Sequence, residues 1–573
     1  MTHDLHVKSR PVRTLADEYV DKLAALDPLM AAFLGIASSR DGLSDLSPDG
    51  RVALDELARS TLARLDQIET APRPDGSAFP EETRCARLLR ERLSTDLATS
   101  EGAEYLREIM NVSGLQQRIQ GIFQLLPAST AEDWAVIARR MVHMPAALAG
   151  LRVSLREAAR QGQFVATARQ VRSITAQLRG WLTETDGTGW YAGFTSAASV
   201  PVSLQAELAA ASASATAAVH DFRDWLCWDY TPLTTGVPES LGSDTYQRWV
   251  RSWNGATVEL IEVYDWAWSE YRTISAQMRS ESEKIRPGAT ALETMDYLDA
   301  HGDAVEGIDE IGAWLQEVTQ QALADLDGTH FDIAAPLRTI EARVDPTGNG
   351  ANPYYIRPSV DFARPGATWL PTGGRTRFPL WSLRSVWYHE GVPGHHLHLA
   401  QWVLLAPRLS RYQTSIGGVG ACTEGWALYA ERLMDELGYY PQPADRLGYL
   451  DWQLLRTVRV ILDVGLHLRL RLPADAPIAA GEVWTPELAS SFLKVSTRRS
   501  DHFIESEIGR YLGRPGQAIS YKLGERAWLA GRKAARKAHA EQGKEFRLKA
   551  WHREALSLGS LGLDDLTDEL SQL

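Results

Sequence analysis

Four histidines and a glutamate lie close together in a stretch of twelve residues, 387–398. It reads Trp-Tyr-His-Glu-Gly-Val-Pro-Gly-His-His-Leu-His, so Glu390 directly follows His389, and His395 and His396 form a pair. Neutral imidazole is the commonest protein ligand for zinc, and a catalytic zinc ion takes three protein ligands and leaves one position for water. A carboxylate beside the first histidine is placed to accept a proton from that water. These residue types predict a metal site with a neighbouring general base.

The spacing departs from H-E-x-x-H, in which two histidines four residues apart bind one zinc ion from one face of a helix. The residue four positions after His389 is Pro393, which has no ligand atom. On an unbroken helix His395 would point to the opposite side from His389, and His396 would lie about 10 Å further along the axis. Pro393 and Gly394 favour a break in the helix. We therefore expect a two-residue bulge that returns His395 to the ligand position, with His396 as the alternative.

A glycine-rich segment that leads into an amphipathic pattern supplies a third ligand candidate. Thr423 is a residue type that begins helices, and Glu424 falls in the first turn, 29 residues after His395. That separation suffices for one helix, a loop and a return past the same point. Glu424 would also interact favourably with a helix dipole in the absence of any metal. Beside the histidine cluster we expect it to be the third ligand, with Glu431, two turns further on, as the alternative.

The two motifs resemble the signature of family 885 of the bacterial domains of unknown function, in which H-E-x-x-P-G-H-H precedes a helix containing E-G-W-A. Both are present, at His389–His396 and Glu424–Ala427. The resemblance covers nearly the whole chain through further segments: Glu18-Tyr19, Asp27-Pro28, Gly35-Ile36, Pro353-Tyr354-Tyr355, Arg364-Pro365-Gly366, Arg510-Tyr511, Pro515–Ala518 and Ser520–Lys522. The family in turn resembles helical zincin peptidases such as carboxypeptidase Taq and the thimet-oligopeptidase group. Glutamate-type zincins take their third ligand from the following helix, which supports Glu424. These relatives end the motif in Gly-His or a single histidine, which supports His395.

The resemblance implies a mainly α fold, a large helical zincin-like peptidase body with a central cleft and a small β-hairpin or short sheet near the metal helix. Apolar residues at helical spacing agree with this expectation. They predict helices over Leu15–Leu34, Val52–Ile68, Ala131–Ala159, Leu204–Trp228 and Tyr246–Met278. We expect a single unit over residues 1–573, made of a helical scaffold half, 1–343, and a catalytic half, 344–573.

One region, Val344–Pro379, breaks the helical pattern. It carries several glycines and prolines and two aromatic runs, Tyr354–Ile356 and Ala367–Leu370, which predict extended segments. In zincins an edge strand near the zinc binds extended substrate by strand addition, and Tyr354 and Tyr355 would contact substrate in that arrangement. A surface loop packed by its aromatic residues is the alternative interpretation.

The closing motif offers further site candidates. A zinc peptidase needs a donor for the oxyanion that forms when the carbonyl is attacked. Tyr521 and His502 are candidate donors, and Tyr521 is preferred because it lies in the segment that resembles the family. Arg510 and Lys522 are candidates for binding a substrate carboxylate. Each of these cations, taken singly, is more often a surface residue.

Composition narrows the classes of partner and compartment. The chain has 573 residues and a net charge of −13, which argues against nucleic acid or an anionic membrane as partner. Three widely separated cysteines suit a reducing compartment. The start of the chain shows no apolar signal region, and no uncharged apolar stretch approaches 18 residues. We expect a cytoplasmic protein.

The motifs favour a zinc-dependent peptidase of the carboxypeptidase or oligopeptidase type that cleaves short peptides or other small amides. Zn²⁺ is the expected cofactor, bound by His389, His395 and Glu424, with Glu390 as the general base. Two alternatives remain open. One is a metal-dependent hydrolase of another amide or ester, and the other is a non-catalytic helical binding protein that retains the motif as structure.

Overall fold

The computed structural model describes residues 10–36, 41–70, 80–110, 114–183, 189–346 and 352–573. Residues 1–9, which form most of the polar start of the chain, and 347–351, inside the predicted extended region, lie outside the described part. Most described residues are helical, and the strands are short.

The α-helices, in chain order, are α1 (Pro11–Leu26), α2 (Pro28–Phe33), α3 (Pro48–Thr70), α4 (Pro80–Glu101), α5 (Leu115–Leu125), α6 (Ala131–Val142), α7 (Met144–Arg160), α8 (Ala168–Leu182), α9 (Trp190–Ser196), α10 (Val202–Trp225), α11 (Ser243–Asn254), α12 (Leu260–Ile285), α13 (Ala291–His301), α14 (Ile308–Leu326), α15 (Leu383–Glu390), α16 (His395–Leu404), α17 (Arg411–Thr414), α18 (Gly420–Glu436), α19 (Pro443–Leu468), α20 (Pro486–Ser496), α21 (Asp501–Gly513), α22 (Ser520–Glu541), α23 (Leu548–Ala555) and α24 (Leu563–Ser571). Short 3₁₀ segments occupy Glu104–Glu108, Thr231–Thr234 and Ala335–Arg338, and a π-helical turn occupies Leu226–Tyr230.

Three of the predicted helices are each divided in two. Asp27 ends α1 and caps α2, where its side chain accepts a hydrogen bond from the Met30 amide at 3.0 Å. His143 separates α6 from α7. Gly255 ends α11 with a left-handed backbone, φ 60°, which glycine adopts without a Cβ penalty. The mainly helical prediction is confirmed, and the predicted boundaries miss these local stops.

The described chain forms two compact units, each built from separate segments. The first comprises Met1–Ser77, Arg92–Leu241 and Glu505–Pro515, and the second comprises Ala78–Glu91, Gly242–Ile504 and Gly516–Leu573, both less the gaps given above. Residue 344, the predicted boundary between a scaffold half and a catalytic half, lies inside a strand of the second unit.

The first unit has a core made largely by α5 to α10. Helix α10 packs against α6, α7, α8 and α9. Large apolar side chains from these helices, including Phe123, Ile137, Leu155, Ile174 and Phe222, are buried together. Burial of such side chains contributes about 1.5–3 kcal/mol each, so this face-to-face packing holds the unit together.

The second unit is organised around helix α19. Every residue from Leu447 to His467 except Trp452 is buried, as is typical of a helix enclosed on all sides. Helices α12 and α15 pack against α19, and α18 packs against α22. The α18–α22 crossing is close because Gly425 faces Gly524: a Cβ on Gly425 would lie 2.3 Å from the Gly524 backbone.

Two small sheets precede the helix that carries His389. Strands β1 (Ala304–Glu306) and β5 (Arg377–Pro379) form an antiparallel pair, and β2 (Ile340–Asp345), β3 (Tyr354–Ile356) and β4 (Gly366–Pro371) form a three-stranded sheet in the order β2-β4-β3. Strand β4 is parallel to β2 and antiparallel to β3, with Tyr355 opposite Thr368. The prediction of extended segments at both aromatic runs is confirmed.

Candidate metal centre

The histidine motif forms two helices joined by a four-residue turn. Helix α15 ends at Glu390, and α16 begins at His395 after Gly391–Gly394. The prediction of one helix with a two-residue bulge is therefore wrong in form, because the chain leaves the helix completely. The turn is closed by hydrogen bonds from the Gly394 amide to the Tyr388 carbonyl, 3.0 Å, and from the His396 amide to the Gly391 carbonyl, 3.0 Å. This turn redirects the chain and brings the rings of His389 and His395 into an edge-to-face contact, with 4.8 Å between their centroids.

A single carboxylate oxygen faces both rings. Oε2 of Glu424, in the first turns of α18, lies 3.4 Å from Nε2 of His389 and 3.6 Å from Nε2 of His395. Both distances exceed the 2.7–3.2 Å usual for a nitrogen–oxygen hydrogen bond. Two ligand atoms on a tetrahedral zinc ion with bonds of 2.0–2.2 Å lie about 3.3–3.5 Å apart. These two distances therefore fit ligands of a shared tetrahedral ion better than they fit direct hydrogen bonds.

Glu390 lies at the edge of the same group. Ligand atoms of His389, Glu390 and His395 all lie within 4.8 Å of one another, and Oε2 of Glu390 is 4.0 Å from Nε2 of His395. Glu424 is closer to that nitrogen than Glu390 is, and these distances favour Glu424 over Glu390 as the candidate third ligand. Burial raises the pKa of Glu390 and outweighs the attraction of the two imidazoles. A carboxylate with a raised pKa is a stronger base.

The other ring nitrogen of His389 is held by Glu431. Nδ1 of His389 lies 2.7 Å from Oε1 of Glu431, and Oε2 of Glu431 accepts a hydrogen bond from the Ser385 hydroxyl at 2.9 Å. Nη2 of Arg456 on α19 lies 3.4 Å from the same Oε1. A metal-binding histidine usually donates its second N–H to a carboxylate in this way, which fixes the tautomer and the ring orientation. Glu431, the alternative third ligand in the sequence analysis, thus contacts the other nitrogen of the His389 ring from the one that faces Glu424.

The charges in this cluster favour a cation. Burial by itself lowers the pKa of His389, but Glu424 and Glu431 raise it to about 9. In return His389 and His395 hold the pKa of Glu424 well below its usual range, although burial opposes this. If both rings are neutral, as metal ligation requires, the carboxylates of Glu390, Glu424 and Glu431 exceed the charge of Arg456 by two. A divalent cation would neutralise that excess, and the donor set of two imidazoles and a carboxylate suits zinc.

His396 has both ring nitrogens occupied elsewhere. Nε2 lies 2.7 Å from the Leu337 carbonyl and must donate to it, because a carbonyl only accepts. Nδ1 therefore accepts a hydrogen bond from the Tyr355 hydroxyl, at 2.9 Å. Burial lowers the pKa of His396 to about 4, so the ring stays neutral. Of the histidine pair, only His395 directs a nitrogen toward Glu424 and His389.

Two tryptophans anchor the motif. Nε1 of Trp426, in the E-G-W-A segment of α18, lies 3.0 Å from the Pro393 carbonyl and 3.1 Å from the Gly394 carbonyl. Nε1 of Trp387 donates to the Leu315 carbonyl of α14 at 3.0 Å. The hydrogen bonds of Trp426 connect the turn to α18, the helix that carries Glu424. The E-G-W-A motif is therefore in direct contact with the histidine motif.

The strand residues proposed to bind substrate have defined partners. The ring of Tyr354 on β3 stacks on Trp369 of β4, with 6.1 Å between centroids and 3° between planes. The hydroxyl of Tyr355 is occupied by His396. On the other edge of the sheet, Oε1 of Gln316 accepts from the Ala342 amide of β2 at 2.7 Å. Strand β3 forms the opposite edge of the sheet.

The candidates from the closing motif are spread over both units. The ring of Tyr521 faces the Arg459 guanidinium at 5.1 Å, and Arg459 lies one turn of α19 beyond Arg456. His502 is exposed near the start of α21. Lys522 is fully buried, donates to Oε1 of Gln453 at 3.0 Å and forms an ion pair with Glu525. Arg510 belongs to the first unit, where it pairs with Glu507 at 2.9 Å.

These features define a mainly helical protein with a cluster of two histidines and three glutamates in its second unit. The chain belongs to the family of bacterial proteins of unknown function (DUF885), which matches residues 28–570. No curated protein matches it significantly in sequence. None of the helices in the described ranges combines the length and the apolar character needed to cross a bilayer.

Two solved structures resemble the fold over nearly its full length. The structure of a "putative lipoprotein" from Colwellia psychrerythraea has a TM-score of 0.80 at 20% identity, covering 98% of each chain. That of a "putative lipoprotein of unknown function" from Shewanella oneidensis has a TM-score of 0.73 at 19% identity, covering 97% of this chain and 99% of the other. At these identities the likeness shows the fold alone.

Proposed function

We propose that the protein is a zinc-dependent hydrolase, most simply a metallopeptidase that cleaves short peptides. The observation that carries this proposal is the convergence of Nε2 of His389, Nε2 of His395 and Oε2 of Glu424, at 3.4 and 3.6 Å. Those three residues would hold the ion. A zinc ion bound there would supply a Lewis acid that polarises a carbonyl group and makes water more acidic.

The protein's own residues then have separate tasks. Glu431 accepts a hydrogen bond from Nδ1–H of His389 and so favours the tautomer in which Nε2 carries no hydrogen. Glu390 takes a proton from the attacking water as its oxygen bonds to the scissile carbonyl carbon. The same carboxyl returns the proton to the leaving amine when the carbon–nitrogen bond breaks, which balances the hydrolysis. Tyr521 is the proposed oxyanion donor on the strength of its sequence motif, and its ring faces the Arg459 guanidinium at 5.1 Å.

The finer assignment of the fold belongs to the same proposal. A zincin-like peptidase body with a central cleft is supported by the order of its parts: a sheet, a helix ending in His-Glu, and a following helix with a glutamate. The partners proposed from sequence, short peptides or other small amides, also follow from it. A non-catalytic scaffold would have no need of Glu390, whose side chain is 12% exposed beside the three ligands.

The experiment is a peptide-library digestion by zinc-loaded protein with products read by mass spectrometry. Glu390→Gln keeps the shape and removes the base, so cleavage should fall about 10²–10⁴-fold while zinc stays bound. The matched control is Glu436→Gln, which lies near the end of α18 and pairs with Arg532. It should cleave like the wild type. Equal cleavage by the wild type and Glu390→Gln would contradict the proposed role of Glu390.

The cytoplasmic location expected from the sequence is also a proposal. The two similar structures are described as lipoproteins, a description that applies to those proteins, and it makes a membrane-associated location the competing proposal. Fractionation of native cells into cytoplasmic and membrane pools, followed by immunoblotting, distinguishes the two.

A further inference from the structure

Two side chains on α19 bury hydrogen-bond donors that lack acceptors among the described residues. Nε and Nη1 of Arg456 and Nε2 of Gln453 have no partner there, and the residues are only 4% and 1% exposed. Buried donors are nearly always paired, because an unpaired one loses its hydration without compensation. A ligand with acceptor oxygens would pair these three donors.

The orientation of Gln453 is fixed by chemistry. Its neighbour Lys522 carries only donors, so the amide oxygen of Gln453 must face the ammonium, at 3.0 Å. Its amide nitrogen therefore points elsewhere and cannot be exchanged with the oxygen. Gln453 and Arg456 are three residues apart, which puts them on the same face of α19.

This face borders the proposed metal site. Arg456 lies 3.4 Å from Glu431, and its charge also acts on Glu390. Glu431 is already engaged by His389 and Ser385, so it leaves two of the three guanidinium nitrogens unpaired. The Arg456 guanidinium is held against the ring of Trp452, 4.8 Å from its centroid, which limits its freedom to turn toward other acceptors.

We infer that Arg456 and Gln453 bind a carboxylate of the substrate beside the catalytic group. The inference deepens the proposed peptidase function and rests on it for the identity of the substrate. A carboxylate accepts charge-assisted hydrogen bonds from guanidinium N–H groups, here those of the unpaired Nε and Nη1 of Arg456, and Gln453 supplies a further donor. The carboxylate comes from the C-terminus of a peptide or from an acidic side chain, and the structure assigns neither Arg510 nor Lys522 to this task.

The test measures binding without turnover. Full-length protein freed of metal with EDTA is titrated in a calorimeter with N-acetylphenylalanine, with its amide, and with the α-amide of N-acetylaspartate. Wild-type protein should bind the first probe about 10- to 100-fold more tightly than its neutral amide, the range that a charge-assisted hydrogen bond supplies. Tight binding of the third probe instead would assign the site to acidic side chains. Equal binding of all three would overturn the inference.

Variants locate the binding to these residues. Arg456→Lys keeps the charge and removes both unpaired guanidinium donors, so the preference for the carboxylate should fall at least tenfold. The matched control is Arg499→Lys, which changes the guanidinium 4.9 Å from the same Trp452 ring and keeps a cation for Asp451. It should leave the preference within twofold. A preference lost equally in both variants would contradict the assignment to Arg456.

Gln453→Glu keeps the acceptor for Lys522 and replaces the unpaired donor by an acceptor. It should abolish the preference even if the Arg456 variant does not fold, which a thermal melt would reveal. A carboxylate preference without any hydrolysis of peptides would refute the proposed function and keep this binding site. Hydrolysis by a protein that binds carboxylate and amide alike would refute the inference alone.

Discussion

Gly394 lies so close to His389 that no side chain fits between them. A Cβ on Gly394 would lie 1.9 Å from the His389 carbonyl oxygen and 2.4 Å from that of Tyr388. Both contacts are with backbone, which cannot turn aside as a flexible side chain would. The tight turn between α15 and α16 therefore depends on this glycine, and the turn is what brings the His389 and His395 rings together.

Gly394→Ala should therefore open the turn. We expect it to weaken zinc binding at least tenfold and to lower the free energy of unfolding by about 1–3 kcal/mol, the usual cost of overpacking. Zinc affinity by competition with a chelator, together with denaturant unfolding, measures both. Gly420→Ala is the matched control, since a Cβ there meets nothing within 4 Å. Unchanged zinc affinity in Gly394→Ala would show that the turn relaxes without moving the histidines.

Glu431→Gln should weaken zinc binding although Glu431 is not a ligand. The amide keeps the shape but loses the charge that orients His389 through Nδ1, at 2.7 Å. Loss of such an outer partner typically costs 10- to 100-fold in metal affinity. The same titration on Glu436→Gln, from the same helix, gives the control. Equal affinities for the two variants would mean that His389 needs no carboxylate to hold its position.

His396 should prove structural. Tyr355→Phe removes the hydroxyl that donates to Nδ1 of His396 and leaves that nitrogen buried and unpaired. Such a loss costs about 1–3 kcal/mol of unfolding free energy. We expect this destabilisation with one zinc per chain retained, because neither residue touches Glu424. Zinc loss on this substitution would place His396 among the ligands.

Zinc binding should release a proton at neutral pH. Since the pKa of His389 is raised to about 9 in the absence of metal, the ring is protonated at pH 7, and zinc must displace that proton. Affinity should therefore rise with pH up to about 9 and then level off. Calorimetry in two buffers of different ionisation enthalpy should count at least one proton per zinc at pH 7. A count of zero would mean that His389 is already neutral.

The sequence predicted the parts of the site that depend on local spacing. A helix break followed by a second helix leaves few ways to place ligand side chains around one ion. That constraint identified His389, Glu390, His395 and Glu424, and the structure brings these four residues together. The predicted two-residue bulge within one helix was wrong in form. The conformational preference of glycine at position 394 does not reveal how closely that residue approaches the His389 carbonyl. The preference for His395 over His396 depends on Tyr355 and Leu337, which lie far away along the chain and contact both ring nitrogens of His396.

The residues that surround the site could not be predicted in this way. Arg456, Gln453 and Ser385 lie in no recognisable motif, and their roles depend on α19 packing against α15. Only the tertiary fold tells which helices pack together. Lys522 was a candidate for binding a substrate carboxylate, and in the structure it is buried and paired with Glu525. The sequence alone does not show which residue a charged side chain will pair with.

The zinc content of three purified proteins tests the ligand assignment. Wild type, Glu424→Gln and Glu390→Gln are loaded with zinc, dialysed and analysed by inductively coupled plasma mass spectrometry. Glu424 is the carboxylate that faces both imidazoles, at 3.4 and 3.6 Å, whereas Glu390 is 4.0 Å from His395. We predict one zinc per chain in the wild type and in Glu390→Gln, and less than a tenth of that in Glu424→Gln. A wild type without zinc, or zinc lost from Glu390→Gln and kept by Glu424→Gln, would contradict the proposed centre.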